Sequence, residues 1–346
     1  MTKEELYMLR AIELAELGRG NVRPNPLVGC VIVYEDHIIG EGYHQLYGGP
    51  HAEVNAINAV VDKSLLPFAT VYVTLEPCAH FGKTPPCADL LVKHRVGKVI
   101  IGALDSNPLV GGKGVAILKN AGIPVEAGLL VDKIRIQNSR FFTVMEKQRP
   151  YVLLKWAQTQ DAYVARANYD SKWISNAYSR QLVHKWRAEE HAIMVGTQTA
   201  HYDNPKLNVR SFTGKDPVRI MIDKKLTLDP NSHLFDQSQP TICYNTEKDE
   251  EKENLLYVKL KDHFFLKDIL KDLQEKKIQS VLVEGGSFLL QKFISENLWD
   301  EARVFTGNIL FGEGIKAPEL NAIRLETQYI LGDRLDLYVN PSPDSI

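Results

Sequence analysis

Cysteine is scarce in this sequence: Cys30, Cys78, Cys87 and Cys243 are the four thiols in 346 residues. So few cannot form a disulfide framework in a chain this long, and they are expected to serve as buried small side chains or ligands in a reducing compartment. Charge imbalance is also lacking. Forty-one basic residues stand against 43 acidic ones, a formal net charge of −2, so the basic footprint by which proteins hold nucleic acid is missing. Apolar runs such as VGCVIV at 28–33 fall far short of the roughly 20 residues of a membrane-spanning helix. The opening MTKEELYMLR carries acidic residues and no apolar core, so no export signal is expected and a cytoplasmic location is. Internal repeats, low-complexity tracts and the dinucleotide fingerprint G-x-G-x-x-G do not occur.

What is present is ordinary globular composition, with 44% hydrophobic and 24% charged residues. The length exceeds the roughly 250–300 residues over which one core keeps growing, which predicts two domains. Leu6, Leu9, Ile12, Leu14 and Leu17 recur near helical spacing and predict an amphipathic opening helix. VGCVIVY (28–34) and HIIGEGY (37–43) read as a β-hairpin, HAEVNAINAVV as a helix, and TVYVTLE (70–76) and VGKVIIGALD (96–105) as strands. GKGVAILKNAGIPVEAG (112–128) reads as helix, glycine stop and strand. Such alternation predicts a mixed or parallel sheet with helices on its faces.

The charged stretch MEKQR before Pro150 predicts a linker near 144–150. Beyond it VLLKWA, HAIMVG, VRIMID, TICYN and SVLVEGG read as strands of a second α/β unit. The run EKDEEKE (247–253) reads as a solvated loop or helix face.

Chemistry concentrates in HAEVNAI (51–57) and TLEPCAHFGKTPPC (74–87). His51, Cys78 and Cys87 stand at a helix start or in a loop after a strand, where backbone N–H groups favour a thiolate. Three N/S ligands leave the fourth position of a tetrahedral zinc open to water, whose pKa the metal brings to about 7. Glu53, two residues after His51, is placed to take that water's proton and pass it to a leaving amine. The set follows the H-x-E…P-C…C pattern of zinc nucleobase deaminases, with a longer gap between the cysteines. Residues in that gap, His80 and Lys83, suit an anionic substrate. A closed zinc ribbon would need a fourth Cys or His at finger-like spacing, and the sequence offers none. Cys30, within an apolar run, reads as a buried small hydrophobe.

RPNPLVGCVIV (23–33), GEGYH (40–44), PHAEVNAI (50–57), TLEPCAHFGKTPPCADLL (74–91) and DSNPLVGGKG (105–114) resemble the deaminase half of the bifunctional riboflavin-biosynthesis deaminase/reductase family. The resemblance implies that His51, Cys78 and Cys87 hold Zn2+ and that Glu53 shuttles protons. It also implies that Asn25, His44, His80, Lys83, Asp105 and Asn107 surround a pyrimidinone and its ribose phosphate. KWAQTQDAYVA (155–165), DSKWIS (170–175), KWRAEEHAIMVGTQTAHYDNPKLNVR (185–210), PVRIMID (217–223) and VEGG resemble the reductase half.

For that half the resemblance implies an NADPH-binding fold similar to dihydrofolate reductase. Lys155, Asp203 and Glu284 would act at the substrate end, with Ala157, Ser171, Trp173, Thr199 and Asp203 on the cofactor and Arg187, Leu207 and Arg210 on the substrate. A guanidinium fork fits phosphate, so Arg187 and Arg210 read as phosphate partners. The expected fold class is α/β, a cytidine-deaminase-like domain at 1–146 followed by a dihydrofolate-reductase-like domain at 147–346.

The implied activity is hydrolytic deamination of a phosphoribosylaminopyrimidine followed by reduction of its ribosyl group, in a homo-oligomer with no nucleic-acid or membrane partner. The family's S-L-D-G-[KR] stands here as Thr159-Gln160-Asp161-Ala162-Tyr163, and L-T-x-R as Leu207-Asn208-Val209-Arg210. These departures keep open a deaminase whose reductase-like half has lost activity. An RNA-acting deaminase and a zinc-stabilised protein without catalysis are the rivals from other classes.

Overall fold

The computed structural model describes residues 1–79, 85–107, 111–261 and 266–341. Within it the chain forms two compact units, Met1–Gln148 and Arg149–Ile346. No helix among the described residues is long and apolar enough to cross a membrane.

The first unit opens with α1 (Lys3–Glu16), started by a capping box in which Thr2 accepts from the Glu5 N–H and Glu5 accepts from the Thr2 N–H. Its buried face is Met8, Ala11, Leu14 and Ala15, whereas Leu6 and Leu17 are 52% and 60% exposed. Of the leucine stripe expected from the sequence, Leu14 is buried and Ile12 packs against the same core, so the packing face overlaps the stripe and is completed by Met8 and two alanines. A Cβ on Gly29 would stand 1.9 Å from the Ala11 carbonyl oxygen, so the helix lies too close to the sheet for leucines at the contact.

The hairpin of β1 (Gly29–Tyr34) and β2 (His37–Tyr43) is antiparallel, as read from the sequence. After α2 (Ala52–Ala59) come β3 (Thr70–Leu75), α3 (Cys87–Lys93), β4 (Lys98–Ala103), α4 (Lys113–Asn120) and β5 (Val125–Ala127). The sheet order is β2-β1-β3-β4-β5, with β3, β4 and β5 parallel and β1 antiparallel to β3. Alternate residues face opposite layers. Ile32, Val71, Val73 and Ile101 pack with Ala56, Leu91 and Leu118 of α2, α3 and α4. Val31, Tyr72 and Ile100 pack with Met8 of α1 and with Ile134 and Phe142 of α5 (Val131–Gln137) and α6 (Ser139–Lys147). The MEK of the expected linker belongs to α6, which ends where Gln148 turns left-handed at φ 53°; the chain break is shorter than the charge pattern implied.

The second unit contains β6 (Tyr151–Gln158), β7 (Tyr163–Ala165), α7 (Ala177–Glu189), β8 (Ala192–Gly196), α8 (Thr197–Asp203), β9 (Val218–Ile222), β10 (Thr241–Asn245), β11 (Glu250–Lys252), β12 (Leu255–Lys259), α9 (Leu266–Glu275), β13 (Ser280–Gly285), α10 (Ser287–Ser295), β14 (Glu301–Thr306), β15 (Ile315–Lys316), β16 (Ile323–Ile330) and β17 (Asp333–Val339). Its main sheet runs β11-β12-β10-β9-β8-β13-β6-β14-β17-β16, parallel from β12 to β14, and β7 pairs with β15 apart from it. Val152, Leu154 and Trp156 turn toward α9 and α10, while Tyr151 and Leu153 turn toward Val183 and Trp186 of α7. The acidic and basic run at 247–253 is not the loop or helix face expected. Its Glu250–Lys252 pair antiparallel with β12, and the charges mark a sheet edge.

Candidate active sites

The first site forms where β3 and β4 end. In open α/β sheets the carboxyl ends of parallel strands form the ligand crevice, because the loops there are free to carry side chains. Cys78 lies in the loop after β3, Asp105 and Asn107 lie after β4, and His51 is the N-cap of α2. That helix can reach the hairpin because Gly42 lacks a side chain: a Cβ there would come within 2.3 Å of the Ala56 nitrogen.

His51 Nδ1 lies 3.6 Å from Cys78 Sγ and 3.3 Å from Cys87 Sγ. A tetrahedral metal with Zn–N near 2.0 Å and Zn–S near 2.3 Å requires N···S edges of about 3.5 Å. The three ligand atoms all fall within 4.8 Å of one another, and among the described residues no fourth His, Cys, Asp or Glu joins them. The donor set thus fits zinc with one position left for a small ligand. Cys87 begins α3, and its backbone N–H donates to Cys78 Sγ at 3.2 Å. The Cys87 thiol holds Cys78 down to about 4, aided by His51, while the same contact and burial push Cys87 up. Cys78 is thereby drawn toward its thiolate form.

Glu53 is buried on the first turn of α2, beside the N-cap His51. Burial, followed by the Cys78 thiolate, pushes its carboxyl up to about 7. Asn25 Nδ2 meets His44 Nε2 at 3.1 Å and His44 Nδ1 meets the Pro50 carbonyl at 3.0 Å, while the His44 and His51 rings are 5.4 Å apart edge to face. If the amide donates to Nε2, the proton sits on Nδ1 and the imidazole is neutral. Burial favours that form by lowering the His44 pKa. Asp105 accepts from the Asn107 N–H at 2.7 Å. His80 and Lys83 lie outside the described residues.

The second site is a cavity of about 610 Å³ whose walls include Lys155, Asp203, Arg210 and Glu284. Ala157, Ser171, Trp173, Arg187, Thr199 and Leu207, the other positions read from the sequence, line it too. Trp173 is 65% exposed on the cavity wall, with the Arg180 guanidinium 4.4 Å over its ring. Arg187 does not present the free fork expected for phosphate. Its Nε and Nη2 donate to the two oxygens of Glu284 at 2.7 and 2.8 Å, and Nη1 donates to the Asn208 carbonyl. Among the described residues Arg210 makes one hydrogen bond, at 3.2 Å to the Asn208 side chain.

Glu284 stands where the β13·β8 register shifts between Val283 and Gly285, a break that re-aims its side chain. Burial would raise its carboxyl, yet Arg187 and then Lys155, 3.9 Å away, bring it down to about 2. Burial lowers the Lys155 ammonium and raises Asp203, so each is drawn toward its neutral form. Gly286, at φ 83°, is the N-cap of α10 and offers no capping side chain. A Cβ on Gly285 would lie 2.7 Å from Thr199. Backbone N–H groups at such a bare helix start suit a phosphate, which fits a dinucleotide held without the usual fingerprint.

Glu76, His184 and Tyr169 are functional candidates that the sequence reading missed. Glu76 accepts from backbone N–H groups of Asp105, Gly112, Gly114 and Val115. His184 lines the second cavity, its pKa lowered to about 4 by burial and by Arg187 and Arg210. Tyr169 and Tyr202 stack at 4.1 Å on the wall of the same cavity. A signal existed only for Glu76, an acid held between a buried strand and Pro77-Cys78.

Residues 1–103 match the family described as the cytidine and deoxycytidylate deaminase zinc-binding region, and residues 150–328 match the RibD C-terminal domain. The chain is 41% identical to the riboflavin biosynthesis protein RibD of Aquifex aeolicus, over 92% of this chain and 91% of that one. It is 37% identical to RibD of Escherichia coli, over 90% and 89%. A solved deaminase/reductase of Thermotoga maritima superposes with a TM-score of 0.90 at 36% identity, covering 97% of this chain and 98% of that one. A metal-sized His-Cys-Cys triangle in one unit, a polar cavity in the other and relatives matching both along nearly their whole length lead to one assignment: the chain belongs to the RibD family of bifunctional riboflavin-biosynthesis deaminase/reductases.

Proposed function

We propose that the residues of the first unit deaminate 2,5-diamino-6-(5-phosphoribosylamino)pyrimidin-4(3H)-one, and that those of the second reduce the ribosyl group of the resulting 5-amino-6-(5-phosphoribosylamino)uracil to ribityl. The observation that carries this is the His51–Cys78–Cys87 triangle with the buried Glu53 on the first turn of the helix that His51 caps. Zn2+, held by those three residues, supplies a Lewis acid that acidifies water. Glu53 accepts the proton that water gives up and returns it to the amine as ammonia departs, so the ring gains oxygen and loses nitrogen with no net proton change. Asn25, His44, Asp105 and Asn107 bind the pyrimidinone and its phosphoribosyl arm.

In the second unit NADPH supplies a hydride. Ala157, Ser171, Trp173, Thr199 and Asp203 hold the cofactor. Leu207, Arg187 and Arg210 hold the substrate, Arg210 through its phosphate and Arg187 indirectly by fixing Glu284. Lys155 Nζ and the Asp203 carboxyl, both drawn toward neutrality by burial, place protons near the ribose as its ring opens. A reductase-like half without activity is disfavoured, because the buried Lys155–Glu284–Arg187 cluster is costly to retain unless it works.

We assign the two activities to domains 1–146 and 147–346, in a cytoplasmic homo-oligomer. Self-association is supported by β16, an eight-residue edge strand whose Leu325 and Tyr329 are 64% and 79% exposed. Following ammonia release and NADPH oxidation separately tests the assignment. The expected result is ammonia from the diaminopyrimidine without NADPH, then NADPH consumption with the deaminated product. A second step no faster than the blank would leave only the deaminase.

A further inference from the structure

Glu76 is 4% exposed, and among the described residues its carboxylate pairs with backbone N–H groups and with no Lys, Arg or His. Oε2 accepts from the N–H of Asp105 at 3.3 Å and of Gly112 at 3.0 Å, and Oε1 accepts from the N–H of Gly114 at 3.0 Å and of Val115 at 3.2 Å. Its own N–H donates to the Ala103 carbonyl at the end of β4, so it is tied to that strand at both ends of the residue. The last three amide donors form the start of α4, whose N-cap Gly112 has no side chain to cap it. A buried carboxylate thus satisfies free N–H groups that the helix cannot satisfy itself, with its charge at the positive end of the dipole. The packing is equally close on the other side of the chain. A Cβ on Gly114 would sit 2.0 Å from the Pro77 carbonyl oxygen, so α4 rests directly on the peptide that precedes Cys78.

One residue before the metal-ligand turn therefore holds both Asp105, just after β4, and the first residues of α4. We infer that Glu76 is a positioning residue for deamination: it locks the backbone at Asp105 and at the start of α4 to the Pro77-Cys78 turn, so that Asp105 and its neighbour Asn107 keep a fixed distance from the metal ligands. This rests on the reading of the first unit as the deaminase. The physical need is plain, since a misplacement of about 1 Å between substrate and reacting group costs about a hundredfold in rate. The bonds that Glu76 makes are all to backbone N–H groups, so it acts through the backbone it holds.

The test is steady-state kinetics of Glu76→Gln in the full chain, with zinc content and NADPH-dependent reduction measured on the same preparation. The glutamine keeps size but replaces one acceptor oxygen by a donor facing two N–H groups. Expected is a KM for the diaminopyrimidine raised about tenfold or more, zinc at the wild-type ratio and an unchanged reductase rate. Gly114→Ala, which forces α4 off Pro77 while leaving Glu76 intact, should produce the same KM defect. Unchanged KM in both variants overturns the inference, as does loss of zinc in proportion to loss of deamination, which would make the residue merely structural. A wild-type chain that releases no ammonia would instead sink the deaminase reading beneath it.

Discussion

His51 and Cys87, whose ligand atoms meet at 3.3 Å, are 36 residues apart, while Arg187 and Glu284, joined in the second unit, are 97 apart. The first site is a small set of short side chains on helix starts and strand ends, close enough for one ion to bind them. In the second, a buried acid is flanked by two cations from other strands and helices. The difference lies in what holds each site together. Ligand atoms at metal-sized spacing organise the first, and desolvated ion pairing organises the second, so the two should fail under different stresses.

Removing the metal is the sharpest way to break the comparison. A chelator should take ammonia release to the blank while NADPH oxidation by the deaminated substrate continues; loss of both would mean the units are not independent in function. Glu53→Gln comes next, with deamination expected to drop about 10²- to 10⁴-fold while zinc stays bound. Persistent ammonia release would remove Glu53 from the proton path.

In the second unit Arg187→Ala leaves Glu284 buried with only Lys155 nearby, a loss of about 3–5 kcal/mol. All four tryptophans, at 156, 173, 186 and 299, belong to this unit, so their fluorescence in denaturant follows it alone. A midpoint equal to wild type would show the ion pair to be energetically idle.

Acid should separate the units more gently. The Glu284 carboxyl is lowered from an ordinary 4.5 to about 2. A depressed acid stabilises fully above its unfolded pKa, and that contribution is lost as pH falls from about 4.5 toward 2, up to about 3 kcal/mol in all. Glu284→Gln should therefore flatten the pH dependence of tryptophan-monitored stability in that window. An equally steep slope would assign the acid sensitivity elsewhere. Smallest of all, Ala162 adopts φ 61°, where glycine is the unstrained residue. Ala162→Gly should stabilise the loop by about 0.5–1 kcal/mol, read as a small rise in the tryptophan-monitored Tm.

That last position shows how far the sequence could be read. The exchange of glycine for Ala162 was visible in it, but not that the backbone there is left-handed. Asp161 accepts from the Phe311 and Gly312 N–H groups, and the Lys316 ammonium lies 4.1 Å over the Tyr163 ring, so the altered loop is pinned by a segment about 150 residues away. Leu207 likewise takes φ 53° while buried, which no local propensity of leucine suggests. The opening helix was legible in part: Leu14 of the expected stripe is buried, but the close approach to Gly29 puts Ala11 and Ala15 at the contact and leaves Leu6 and Leu17 outside.

Strand and helix periods, the glycine stop at Gly122 and the ligand types at 51, 78 and 87 were fixed by the sequence itself, because each depends on near neighbours or on the chemistry of a single side chain. The pairing of Arg187 with Glu284, the four amides on Glu76 and the exposure of Trp173 were decided only by the folded chain. Those features depend on which distant segments meet. A charge or a ring has no fixed role until burial removes water from around it and supplies the partner it must then have.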